Sequence, residues 1–246
     1  MCTVSWVPEA GGYTLCFNRD ERRTRAPARS PTIGVAQGTR YIAPEDGESG
    51  GTWLAVNEFG LTLGLLNRYE VPDYVRPREH VSRGHIIPDI ISHATAPEAC
   101  EALARRAIGG YQPFSLVALD PGSAVHLLLW DGNQLVSATH RAPGLVLTSS
   151  ASAEPEVRAA REAEFGALVP VTPDTLIALH RSHRPERGAR SICMHRTDAE
   201  TRSFTAVRVS RFGIAMRHVP DAPCRGEELT PVTLAARQPQ PHSLSR

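Results

Sequence analysis

The sequence predicts an α+β fold built on antiparallel sheets, and three observations carry that prediction. Short apolar runs alternate with turn sequences such as Asp120-Pro121-Gly122 and Asp131-Gly132-Asn133, the pattern of hairpins. Two helical pairs interrupt these runs, near residues 82–107 and 154–183. The resulting order is strands, two helices, strands, two helices, strands, which two facing sheets flanked by helix pairs would satisfy.

In chain order, Cys2–Val7 reads as a strand, Glu9-Ala10-Gly11-Gly12 as a turn and Tyr13–Phe17 as a second strand. A hairpin of this length returns Asn18, Arg19 and Asp20 to the side of Cys2. Arg22–Pro31 is rich in Arg and broken by Pro27 and Pro31, and reads as a loop at a site entrance. Thr52–Val56 and Leu61–Leu66 form the next antiparallel pair, joined at Asn57-Glu58-Phe59-Gly60, with a Pro- and Arg-bearing loop over residues 71–80 beyond it. A Ser82-capped helix carries Ile86, Ile87, Ile90 and Ile91 on one face, with Pro88 bending or restarting it. Pro97–Ala107 is a helix with acids early and Arg105-Arg106 late, the order the macrodipole favours. Strands follow at Ser115–Leu119, Ala124–Trp130, Leu135–Thr139 and Leu145–Thr148, then helices at Glu154–Val169 and Pro173–His183. Arg190–Arg196 and Phe204–Val209 read as strands around a turn at Asp198–Thr201, with a last strand at Ile214–Val219. One domain is expected over residues 1–220, and a polar, Pro-bearing tail over 221–246 that frays.

Composition removes several function classes. The formal net charge is +1, which argues against a dedicated nucleic-acid surface. All 27 Lys+Arg residues are Arg, so a P-loop lysine, a pyridoxal Schiff base and any lysine nucleophile are excluded. Five scattered cysteines without a C-x-x-C, and dispersed histidines without H-E-x-x-H, give no expectation of a disulfide framework, a metal site or a cofactor. The polar, turn-rich N-terminus is unlike a signal peptide, and no apolar run reaches the ~18 residues of a membrane span; a cytoplasmic protein is expected.

The chemistry concentrates at the N-terminus. A small residue after Met1 permits its removal, which would leave Cys2 carrying both a thiol and a free α-amine. Such an amine has a pKa of roughly 7.7–8.0 and can act as a base near neutrality, so one residue holds nucleophile and base. An Arg beside the thiol favours the thiolate, and a carboxylate can orient the ammonium.

Met1-Cys2 followed by Asn18-Arg19-Asp20-Glu21 resembles the NRDE family, also called the transport-and-Golgi-organisation family. Gly50-Gly51-Thr52-Trp53 matches the family's GGTW segment and Ser82-Arg83-Gly84 its SRG; the likeness is good to about residue 95 and looser to about 195. The family in turn resembles Cys-type N-terminal-nucleophile hydrolases such as choloylglycine hydrolase and penicillin V acylase, whose N-E-x-G-L run here is Asn57-Glu58-Phe59-Gly60-Leu61, leading to Asn67. That resemblance implies a four-layer αββα sandwich and makes Asn67 the side-chain donor of an oxyanion hole. Arg190-Ser191 resembles the family's late R-S segment, which would bring Arg190 toward Cys2. The V-L-T-N segment of choloylglycine-type enzymes reads here Val146-Leu147-Thr148-Ser149; Ser149 in place of Asn counts against assuming bile-acid or penicillin substrates.

The expected catalytic set is therefore Cys2, Arg19, Asp20, Asn67 and Arg190, with Asn18, Trp53 and Ser149 toward substrate. The activity implied is hydrolysis of a non-peptide linear amide, an ester or a thioester, on a small-molecule acyl substrate. The other reading left open is a non-catalytic carrier of a lipid, acyl-CoA or haem-like ligand, since the family name refers to trafficking.

Overall fold

A computed structural model describes residues 2–238 apart from 73, 76–79, 123 and 152. The removal of Met1, parts of the 71–80 loop and the end of the tail therefore lie outside the described residues.

Two antiparallel sheets face each other. The first contains β1 (Cys2–Glu9), β2 (Gly12–Arg22), β10 (Gly144–Ser149), β11 (Ala199–Ser210), β12 (Gly213–Val219) and β13 (Val232–Leu234), in the order β10-β1-β2-β11-β12-β13. The second runs in chain order through β3 (Arg29–Ala36), β4 (Thr39–Glu45), β5 (Leu54–Asn57), β6 (Thr62–Asn67), β7 (Phe114–Leu119), β8 (Val125–Trp130) and β9 (Leu135–His140). Helices α1 (Ile86–Ile90) and α2 (Ala96–Ala104) cover the outer face of the second sheet; α3 (Glu154–Gly166) and α4 (Pro173–Arg181) cover that of the first.

The period-2 alternation of the strands builds these layers. Val4, Trp6, Leu15 and Phe17 point between the sheets and pack on Leu54, Val56, Leu66 and Val117. Their neighbours point the other way: Val7 and Cys16 meet Leu176 of α4 and Phe204. The four isoleucines of the sequence reading all lie in the α1 layer, buried against Leu63, Leu65 and Phe114. This is the αββα sandwich, with a fully paired central ribbon β1–β2.

Several local expectations need correction. The end of the expected Arg22–Pro31 loop is strand: residues 29–45 form a hairpin, in which Gln37 and Gly38 take φ of 49° and 80°, the two positive values a tight hairpin turn requires. The helix expected from Ser82 is a single 3-10 turn at Arg83–His85 followed by the short α1, and the Ser82 side chain caps nothing. Residues 190–196 are not a strand. Cys193 N–H donates to Ser182 O and His195 N–H to Gly188 O, both in loops, and the segment meets β11 through an isolated bridge of His195 with Glu200 and through Thr201 N–H on Met194 O. The turn expected at 198–201 gives way to β11, which already starts at Ala199. Nor does the chain fray from Pro220: β13 pairs with β12, and Arg237 N–H donates to Glu58 O.

Candidate functional site

The β1–β2 register sets Cys2 opposite Arg19 and Thr3 opposite Asn18, and on the other side β10 sets Ser149 opposite Cys2. Cys2 thus enters the fold held on both flanks. Its backbone N–H donates to Ser149 Oγ at 3.2 Å. Its side chain, 9% exposed, lines a cavity of about 580 Å³ between the sheets. Arg19, Asp20, Trp53, Asn67, Arg25 and Arg83 share that lining.

Alternation splits the Asn18-Arg19-Asp20-Glu21 run between two faces. Arg19 and Glu21 turn toward the second sheet. Arg19 Nη2 lies 2.6 Å from Asp46 Oδ2, and its Cζ sits 4.4 Å from the centre of the Trp53 ring. Asp46 also takes two hydrogen bonds from Arg25 and those of the Glu48 and Ser49 N–H groups. Burial works against its charge, but the bonds from Arg25 and Ser49 with the Arg19 charge outweigh it and hold the Asp46 carboxyl well below the usual carboxylate range.

Asn18 and Asp20 turn toward the helices. Asn18 does not line the cavity. Its amide donates to His180 O and Ile192 O, and its Oδ1 meets His180 Nδ1 at 3.0 Å. The other ring nitrogen, His180 Nε2, lies 2.8 Å from Ser5 Oγ, so β1, β2 and α4 are pinned together through one buried imidazole. Asp20 accepts from Thr201 Oγ1 at 2.6 Å and pairs at 3.6 Å with the fully buried Arg161 of α3. Burial pushes the Asp20 carboxyl up, opposed by Arg161 and the chain terminus.

Burial likewise pushes the Cys2 thiol up from its ordinary range. The positive chain terminus pulls it down, the Asp20 charge pushes it further up, and Arg19 and a backbone hydrogen bond from Asp20 favour the thiolate. Arg19 is already engaged by Asp46, which dilutes what its charge can do for the sulfur. The net effect holds the Cys2 sulfur in its thiol form.

Asn67 ends β6 on the cavity wall, its Nδ2 donating to Tyr69 Oη at 2.9 Å. Trp53 Nε1 is buried without a hydrogen-bond partner among the described residues, leaving a donor at the same wall. The two glycine motifs also find their reason here. Thr52 N–H donates to Gly84 O, and a Cβ on Gly51 would sit 2.6 Å from Gly84 Cα, so the Gly50-Gly51 and Ser82-Arg83-Gly84 segments touch backbone to backbone beneath the cavity.

Arg190 is not brought to Cys2. Its guanidinium is exposed and bonds to Glu186, four residues back on the same loop. The buried guanidinium behind Cys2 is Arg161, which donates to Thr3 Oγ1, Thr148 Oγ1 and Ala189 O. Sequence reasoning missed it, together with Asp46 and His180, whereas Arg25 belongs to the Arg-rich loop expected at the site entrance. One signal existed: Arg161 lies four residues after Val157, the other buried residue of α3, and so on the helix's inward face.

Burial, with the Arg161 charge adding, holds the His180 imidazole down at about 3; burial alone holds His218 down at about 4. Both ordinarily titrate near 6.5, so as pH falls the unfolded chain takes up protons that the folded one refuses. The stability they contribute is complete above about 6.5 and is lost progressively below it. Urea midpoints should therefore fall between roughly pH 6.5 and 5, while carboxylates are still ionised, and His180→Gln should flatten that slope. A flat midpoint across this interval in the native protein would contradict the buried-neutral assignment.

A family model described as Transport and Golgi organisation 2 matches residues 1–165. Transport and Golgi organization protein 2 of Drosophila melanogaster is 33% identical over 139 residues, which are 50% of this chain and 47% of that protein. The chain thus spans about half the length of this curated relative. Among solved structures, penicillin V acylase from Agrobacterium tumefaciens is similar with a TM-score of 0.58 at 15% identity, over 95% of this chain and 84% of that one. A mutant of the conjugated bile acid hydrolase from Clostridium perfringens gives 0.54 at 11% identity, over 99% and 100%. The Caenorhabditis elegans N-acylethanolamine-hydrolyzing acid amidase ortholog gives 0.56 at 13%, over 84% and 92%. At such identities the likeness is one of fold. No helix among the described residues is long and apolar enough to cross a membrane.

Proposed function

This chain belongs to the Transport and Golgi organisation 2 family, and we propose that it is an N-terminal-nucleophile hydrolase that cleaves a non-peptide linear amide, or an ester or thioester, through Cys2. One observation carries the reading. The nitrogen and the sulfur of Cys2 are held in separate environments, the nitrogen on Ser149 Oγ and the sulfur at the wall of a cavity shared with Asn67.

With Met1 removed, the nitrogen on Ser149 becomes an α-amine beside its own thiol. The amine takes the thiol proton and the sulfur bonds to the substrate carbonyl carbon. The oxygen then carries the negative charge, and an Asn67 Nδ2 turned from Tyr69 stabilises it, by ~3 kcal/mol for a well-placed donor. As the carbonyl re-forms, the bond to the leaving nitrogen, oxygen or sulfur breaks, and the ammonium returns its proton to that atom. A water activated by the same amine then cleaves the thioester, releasing the acid and the thiol. Asp20, backed by Arg161, is the carboxylate that favours the ammonium, and Arg19 the cation that favours the thiolate.

The carrier reading has less support. Arg19, Glu21, Arg25 and Asp46 line the cavity, an ill match for a long acyl chain or a haem-like ring. The lining suits a short, polar acyl substrate. Trapping with a reactive ester tests the proposal. The acyl adduct should map to the N-terminal peptide of protein lacking Met1 by intact mass; an adduct on another residue, or hydrolysis by protein that keeps Met1, would end it.

A further inference from the structure

Four side chains far apart in sequence converge behind the NRDE strand. His183 follows α4, Cys193 and His195 lie on the irregular segment before β11, and Cys224 follows β12. One ligand atom from each lies within 4.8 Å of all the others. Cys193 Sγ is 3.5 Å and Cys224 Sγ 3.4 Å from His195 Nε2, and the two imidazole centres are 5.0 Å apart.

These spacings match a metal's ligand shell. With Zn–S of about 2.3 Å and Zn–N of about 2.05 Å, a tetrahedron puts sulfur and nitrogen ligands about 3.5 Å apart. The donor chemistry is equally selective: two thiols and two imidazoles suit zinc, whereas calcium and magnesium take oxygen. A carboxylate stands near the cluster: His195 Nδ1 lies 3.7 Å from Glu200 Oε2, longer than a hydrogen bond, and neither atom has a hydrogen-bond partner among the described residues. On the second ring, His183 Nε2 is buried without a hydrogen-bond partner among the described residues.

We propose that His183, Cys193, His195 and Cys224 form a closed Cys2His2 site for a structural zinc ion. Four protein ligands fill the tetrahedron, so the ion holds the fold and binds no substrate. Its place explains what it would hold. Ser191–Met194 is buried yet belongs to no sheet, and it lacks the ladder that would normally fix buried backbone. That same segment supports the nucleophile's neighbours: Ile192 O accepts from Asn18 Nδ2, and Met194 N–H donates to Thr201 Oγ1, which donates to Asp20 Oδ1. An ion joining the segment to the ends of α4 and β12 would brace the NRDE strand from behind.

Metal analysis of the full chain, purified under mild reductant without chelator, should find about one zinc per chain. Cys193→Ser and Cys224→Ser should each lose it. His183→Gln, at a half-buried position, should weaken zinc retention against a chromogenic chelator while circular dichroism shows an unchanged fold. Cobalt loading should give the intense visible bands of a tetrahedral thiolate–imidazole site, and stripping the metal should lower the melting temperature. The site is refuted by folded, reduced wild-type protein that neither retains zinc nor takes it up on titration. A Cys193–Cys224 disulfide in the metal-free native protein, or full zinc content in the double Cys193→Ser/Cys224→Ser variant, refutes it equally.

Discussion

Cys2→Ala is expected to abolish turnover, by a factor of at least about 10³, while the melting temperature stays near the native value. The contrast follows from how the residue is held. Its structural bonds belong to its backbone: the ladders to β10 and β2 and the N–H on Ser149 Oγ all survive loss of the sulfur. The only atom removed is the buried sulfur of a residue that lines the cavity. A companion variant separates the two duties of this residue. Keeping one extra, uncleavable residue ahead of Cys2 leaves the thiol and removes the amine. Because burial raises the thiol pKa, a sulfur without its base stays protonated, and activity should fall about as far as in Cys2→Ala. Progress curves on a reactive ester, beside thermal melts, read both. Equal hydrolysis by the extended and native forms would remove the amine from the mechanism.

The largest stability loss is expected at Arg161→Ala, about 3–5 kcal/mol in urea unfolding. Arg161 is fully buried and ties Thr3 of β1, Thr148 of β10, Ala189 and Asp20 of β2 into one cluster. Truncation strips Asp20 of its buried counter-charge and both threonine hydroxyls of a donor. Lysine should restore little, since one ammonium does not reproduce the planar fork that reaches separate strands. Adding Asp20→Asn should recover part of the loss by removing the orphaned charge, giving a coupling of at least about 1 kcal/mol in a double-mutant cycle. A loss under about 1 kcal/mol for Arg161→Ala would show that this cluster does not bear on stability.

What the sequence revealed of this site was what lay within a hairpin. Turn residues and alternation were enough to set Arg19 against Cys2, because both sit on one ribbon whose register its turn fixes. The same alternation, followed one step further, separates Arg19 from Asp20, which the sequence reading set together around the sulfur. The β3–β4 hairpin escaped because Gln37 is a poor turn marker and β3 is mostly exposed, so it lacks the apolar rhythm that betrays a strand. Ser191–Met194 misled in the opposite sense: a short buried apolar run is the strand pattern, yet Cys193 N–H bonds to the loop carbonyl of Ser182 and the run meets β11 at its end, through Thr201 N–H on Met194 O, without a ladder. Arg190 looked like a site residue by resemblance, but its own helix-spaced neighbour Glu186 holds it at the surface. Asp46, Arg161 and the Cys193–Cys224 cluster depend on contacts between distant segments, and no local pattern encodes those.

The position of β11 has a consequence for how this protein can be divided. The matched family segment ends at residue 165, but β2, which carries Asn18 to Asp20, is hydrogen-bonded along Tyr13–Arg22 by Ala199–Val209. A truncation at the family boundary would turn the ribbon that carries Cys2 into a bare sheet margin, with an open row of amides and carbonyls inviting self-association. Fragments for expression should therefore run past β12, and splitting the chain between α3 and β11 should yield two insoluble pieces that regain solubility only when refolded together.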